Sequence, residues 1–143
     1  MRNDEVAERG MRRARGWLEG AESALRAGDL PRAVYESQMA VELAAKSVFF
    51  ALGIEFPKEH DVSKIFQKLA GRKDLPQKFR SQVPFIAETL ALLAKERGRA
   101  GYGWMEGITD DYFKERAPEA VDRARRVCEA CESLLKHLFQ IKK

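Results

Sequence analysis

Apolar residues recur along this chain at steps of four and three, the period of an α-helix that buries one face. In the first segment Ala7, Met11, Ala14, Leu18, Ala21 and Leu25 follow steps of 4, 3, 4, 3 and 4, which predicts one long helix. Gly28-Asp29 ends it, with Asp29 placed to cap the next helix and Pro31 tolerated in that helix's first turn. Leu30, Val34, Ser37, Val41, Ala44 and Val48 repeat the same steps, while Ala33, Ala40, Phe49 and Leu52 lie off that line. A helix apolar on more than one side is expected at the centre of its bundle.

Gly53 to His60 reads as a loop, because Pro57 forbids helix there. Val62, Ile65, Phe66 and Leu69 predict a short third helix that stops at Gly71. Phe79, Val83, Ile86, Leu90 and Leu93 mark a fourth helix from about Pro76 to about Gly98, and Pro84 inside it predicts a kink or a later start. Gly98, Gly101, Gly103 and Gly107 alternate with Tyr102 and Trp104 and read as a loop. A last helix is expected from near Pro118, carrying Val121, Ala124, Cys128, Cys131, Leu135 and Leu138. No strand pattern competes. The expectation is an all-α fold, an up-and-down helical bundle of four long helices plus one short helix, with residues 1–143 as a single domain.

At 143 residues the chain is too short for an enzyme with separate cofactor and substrate lobes. Hydrophobic residues at 45% and charged residues at 34% describe a globular chain. The net charge of +4 permits contact with nucleic acid or acidic ligands without demanding it. No apolar run approaches the ~18–20 residues of a membrane span, so no membrane is expected. The charged start Met-Arg-Asn-Asp-Glu and the two cysteines give no sign of export, which leaves the cytoplasm as the expected compartment.

Few residues are candidates for chemistry. The apolar line of the fourth helix, extended by four, lands on Arg97. An arginine aimed at a bundle either covers its end, pairs with a carboxylate, or awaits an anion. Gln38, Glu42 and Lys46, each four apart, stack on one face of the second helix. They form either a solvated stripe with one favourable ion pair or a polar network inside the bundle or at a dimer interface. His60-Asp61 precedes the third helix, where either residue could cap it.

The only other histidine is His137, and Cys128-x-x-Cys131 on a core line reads as two small hydrophobes, so no metal and no cofactor are expected. No phosphate-cradling Gly-x-x-x-x-Gly-Lys loop and no serine triad can be assembled. Arginines cluster at Arg9, Arg12, Arg13 and Arg15, at Arg97 and Arg99, and at Arg123, Arg125 and Arg126. With Glu5, Glu8, Glu119 and Asp122 nearby they read as solvated faces interleaved with acids, whereas two such groups converging near Arg97 would make a phosphate-binding patch.

These pieces, in this order, resemble the HEPN domain (higher eukaryotes and prokaryotes nucleotide-binding). The resemblance rests on Gly28-Asp29-Leu30-Pro31, then Ser37-Gln38-Met39-Ala40-Val41-Glu42-Leu43-Ala44-Ala45-Lys46, then His60-Asp61-Val62, and last Arg97 followed by Tyr102. It spans roughly Ala14 to Leu138 and implies a helical bundle that dimerises. Many members of that family stand beside a small nucleotidyltransferase in a toxin–antitoxin-like pair. Its ribonucleases carry Arg-x(4–6)-His at the end of the fourth helix.

Arg97 fits the arginine of that motif, but the residues from Gly98 to Trp104 contain no imidazole. A tyrosine titrating near ~10 is a poor proton-transfer group for RNA cleavage. Arg97 and Tyr102 resemble instead the Arg…Tyr form of the nucleotidyltransferase partners, in which the tyrosine can accept a nucleotidyl group. The resemblance thus implies nucleotide or phosphate binding at Arg97, Arg99 and Tyr102, with Arg97 and Tyr102 as the candidate catalytic groups. Two alternatives stand beside it: a metal-independent endoribonuclease toxin, and a non-catalytic protein-interaction module.

Overall fold

The computed structural model describes residues 3–141, and among them the fold is all-α with no strand. Helix α1 (Asn3–Ala27) buries Ala7, Met11, Ala14, Leu18 and Ala21, as the steps of four and three require. In its last turn Ala24 is buried and Leu25 only half-buried. A straight helix at 3.6 residues per turn drifts off a 3.5-residue line, which accounts for the change. Gly28 at φ +80° turns the chain, and the Asp29 side chain accepts the Arg32 backbone N–H to cap helix α2 (Leu30–Leu52). Gly53, at φ +69°, closes α2 in the left-handed conformation that glycine adopts without strain.

Helix α2 is the central helix, in contact with α1, with α4 (Gln77–Tyr102) and with α5 (Arg116–Ile141). Its approach to α1 is close because two α1 positions lack side chains. A Cβ at Gly10 would run into the Ser47 hydroxyl, and one at Gly20 into the Glu36 carboxylate. Phe66 of the short α3 (Ser63–Gln67) packs its ring between Phe49 and Phe79, with centroids 5.7 and 6.0 Å away, and so ties α3 to α2 and α4. A 3₁₀ turn at Lys68–Gly71 then stops the segment where the sequence places the stop.

The end of α4 and the start of α5 differ from expectation, while the start of α4 agrees with it. Pro84 neither delays nor interrupts α4, which starts after Pro76 and runs through it. Burial of Phe79, Val83, Ile86, Leu90 and Leu93 along one side outweighs the ~3 kcal/mol that an interior proline costs. The glycine-rich stretch is not a loop from Gly98 onward. The helix continues through Gly98 and Gly101 to Tyr102, and a 3₁₀ turn follows at Gly103–Glu106. Each helical glycine costs only about 1 kcal/mol, and Gly101 lies against the Tyr35 ring, so packing decides. Helix α5 begins at Arg116, which puts Pro118 in a first turn whose N–H groups lack partners anyway.

Cys128 and Cys131 are buried free thiols. Burial pushes Cys128 up to about 12 and Cys131 well above the ordinary thiol value, so neither is a nucleophile at neutral pH. Among the described residues no group of three His, Cys, Asp or Glu side chains could hold a metal ion, and no helix is long and apolar enough to cross a membrane.

Candidate functional site

The polar line of α2 faces inward. Gln38 and Glu42 are buried, and the carboxylate of Glu42 gathers three donors. Gln38 Nε2 donates to Glu42 Oε1 at 2.8 Å, Lys46 Nζ to Oε2 at 2.8 Å, and His60 Nδ1 to Oε1 at 2.9 Å. Burial raises the Glu42 pKa, but the hydrogen bonds from Lys46, Gln38 and His60, with the charge of Lys46, outweigh it and hold the group below its ordinary 4.5. The solvated-stripe alternative is thereby set aside. Asp61, not His60, serves α3: its carboxylate accepts the Ser63 backbone N–H at 2.9 Å.

Arg97 completes this network from the other helix. Near the end of α4 it is half-buried and reaches α2, where Nη1 donates to Gln38 Oε1 at 2.9 Å and lies 3.0 Å from Met39 Sδ. The guanidinium also stands 4.6 Å from the centre of the Tyr35 ring. Arg97, Gln38, Glu42, Lys46 and His60 therefore form one connected chain of hydrogen bonds. Among the described residues no carboxylate pairs with Arg97. Glu42 is one amide removed and already paired with Lys46. The guanidinium is thus oriented by neutral groups, and its charge is left uncompensated.

Arg99 does not join it. Two residues along a helix is about 200° of rotation, so Arg99 points to the opposite side of α4. There Glu96, buried within the bundle, accepts the Tyr112 hydroxyl proton at 2.9 Å and Arg99 Nη1 at 3.2 Å. Arg99 also donates to the Tyr112 hydroxyl at 2.8 Å, and the Arg116 guanidinium stacks 4.0 Å over the Tyr112 ring. Glu96, Arg116, Arg123 and Leu93 line a cavity of about 270 Å³ between α4 and α5.

Tyr102 is the last residue of α4 rather than part of a flexible loop. It is 65% exposed, and its hydroxyl bonds to none of the described residues. Arg99, three before it, shares its face, whereas the position four beyond Arg97 is Gly101, beneath the Tyr35 ring.

The other arginine clusters do not converge on Arg97. Arg123 donates to Thr89 and Glu88, Arg126 stacks 3.9 Å over Phe85, Arg125 pairs with Glu22, and Arg15 with Glu132. Arg9, Arg12 and Arg13 lie on the outer face of α1. His137 stands beside Pro76 and Phe79 at the start of α4, about 27 Å along the helix from Arg97 at 1.5 Å per residue. His60 is therefore the imidazole that the network links to Arg97.

Five residues of these clusters were missed in the sequence, Glu96 and Arg116 among them. Tyr35 and Met39 flank Gln38 on α2, yet neither belongs to its four-residue line. Tyr112 sits in a 3₁₀ turn at Asp110–Phe113, where no periodicity marks it.

A family model for the HEPN domain matches residues 7–134. The Methanocaldococcus jannaschii protein named "Putative toxin MJ1304" is 27% identical over 145 residues, covering 98% of this chain and 95% of that protein. No solved structure gives a significant match.

Proposed function

Because this chain belongs to the HEPN domain family, we propose that it binds a nucleotide or an RNA phosphate through Arg97 and acts with a small nucleotidyltransferase as the toxin-like member of a pair. The observation that carries this reading is the guanidinium of Arg97, fixed by Gln38, Met39 and Tyr35 yet without a carboxylate. A partly buried cation oriented in this way is suited to an anion from outside. Only Nη1 is engaged, which leaves the remaining N–H groups for phosphate oxygens. The name carried by the Methanocaldococcus jannaschii relative supports the toxin-like role.

Tyr102 supplies an accessible hydroxyl one helical turn beyond Arg99. In the partner enzyme's active site its oxygen would attack the α-phosphate of a nucleoside triphosphate, lose its proton and release pyrophosphate. Arg99 would then lie beside the new phosphodiester. Tyr102, Trp104 and Met105, all more than 60% exposed, form an apolar end to α4 that supports pairing with a second copy of the chain. Light scattering at micromolar concentration tests that dimer, and a monomer would contradict it.

The linkage of His60 to Arg97 through Glu42 and Gln38 favours one second reading, metal-independent RNA cleavage. Calorimetric titration of ATP and of a short RNA into wild type and Arg97→Ala decides the first reading. Affinity should fall about tenfold in the variant, the size of one charge-assisted contact, and equal affinities would remove Arg97 from the site. RNA cleavage lost in both Arg97→Ala and His60→Ala would establish the second reading instead.

A further inference from the structure

The outer face of α1 carries a second cationic surface. Arg9, Arg12 and Arg13 are exposed and lie on the side of the helix away from the buried Ala7, Met11, Ala14 and Leu18. With Gly16 and Trp17 they line an open groove of about 430 Å³. Gly16, having no side chain, leaves the groove open, and Trp17 forms one wall while packing inward against the core. Helical neighbours three or four apart stand about 5–6 Å apart at Cβ, so the three guanidiniums form one compact patch.

What sets these arginines apart is their lack of partners. Arg15, Arg32, Arg99, Arg123 and Arg125 each pair with a carboxylate. Among the described residues none accepts a hydrogen bond from Arg9, Arg12 or Arg13 or pairs with them. Glu5 and Glu8 stand four residues before Arg9 and Arg12 on the same side of α1, and no ion pair joins them to these arginines among the described residues. Glu8 and Glu19 line the adjoining groove between α1 and α5, which Arg12 and Gly16 also line, beside the Arg15–Glu132 pair. Three guanidiniums on one patch repel each other, and a polyanion relieves that repulsion while releasing counterions.

We infer that this face of α1 is a binding surface for single-stranded nucleic acid, with Arg9, Arg12 and Arg13 on successive phosphates and the Trp17 indole against an unpaired base. The inference does not rest on Arg97, which lies between α2 and α4. An indole beside cations offers a stacking face that any unpaired base can use, and a base held inside a duplex cannot reach it. An anionic membrane is the poorer fit. The apolar residues of α1 are packed into the core, so the face lacks the apolar half of a membrane-surface helix.

The test uses the full chain, a fluorescein-labelled oligoadenylate, the matching duplex, and vesicles of phosphatidylserine and phosphatidylcholine. The single strand should bind most tightly. The triple variant Arg9→Gln, Arg12→Gln, Arg13→Gln should lose roughly tenfold in affinity, and its log K against log salt should flatten by about 2, at ~0.7 per lost phosphate contact. Arg97→Ala changes the same slope by at most about 0.7. The chain has two tryptophans, so Trp104→Phe leaves Trp17 as the only indole, and its emission should be quenched by the single strand. An unchanged slope in the triple variant, an unchanged Trp17 emission, or stronger arginine-dependent binding to the duplex or the vesicles would each overturn the assignment.

Discussion

Glu96 and Arg97 are adjacent on α4, yet they face two differently built environments. On the Glu96 side the arginines share a carboxylate: Glu96 takes Tyr112 and Arg99, and Arg116 closes over the ring. The elements brought together are the end of α4, the Asp110–Phe113 turn and the start of α5. On the Arg97 side the guanidinium is held by an amide oxygen, a thioether and an aromatic face, while the network's only acid is matched by Lys46. A buried carboxylate shared by arginines from two helices holds those helices in place. A cation oriented by neutral groups keeps its field. The presence of an arginine thus says little about function until its partner is known.

The comparison can be broken most directly at Glu96. Glu96→Ala strands Arg99, Arg116 and the Tyr112 hydroxyl together, and should cost about 2–3 kcal/mol of stability in urea unfolding. Nucleotide affinity should be unchanged. Arg97→Ala should do the reverse, losing binding while stability stays within about 1 kcal/mol of wild type. Equal destabilisation by the two would make Arg97 a structural arginine and erase the distinction.

Acid titration sharpens the same contrast. Glu42 is held below its ordinary 4.5, so its contribution is fully present above that pH and is lost as pH falls through the lower folded value. Glu42→Gln should flatten the fall in Tm between about pH 6 and about pH 3 that wild type shows. The smallest stability effect belongs to Tyr102→Phe, which removes an exposed hydroxyl with no partner and should change stability by less than about 0.5 kcal/mol. After co-expression with a nucleotidyltransferase, the wild type should carry a nucleotidyl mass increment that this variant lacks. An increment that persists in the variant would place the modification elsewhere.

Much of the fold was legible. The buried lines of α1, α2 and α4 follow the steps of four and three, and the central place of α2 follows from its apolar residues on more than one side. The polar line Gln38, Glu42 and Lys46 and the outlying Arg97 were visible as candidates, because both break an apolar pattern at a helical step. Their connection was not visible, since 59 residues separate Gln38 from Arg97. Glycine misled the reading at Gly98 and Gly101. The local preference there is weak, about 1 kcal/mol per residue, and at Gly101 packing against Tyr35 of α2 opposes it.

The sequence by itself determined the helices, the cap at Asp29, the faces they bury and the short list of polar residues on those faces. Each depends on neighbours within a turn or two, and the 3.6-residue period records them directly. Tertiary structure alone decided which of two nearby arginines keeps its charge available, and that His60 joins α2 while His137 lies at the far end of α4. It also decided that Tyr102 ends a helix, and that three arginines on α1 form no ion pair among the described residues. Those outcomes depend on which side chains meet across the bundle, and pairing between distant segments leaves no mark in local periodicity.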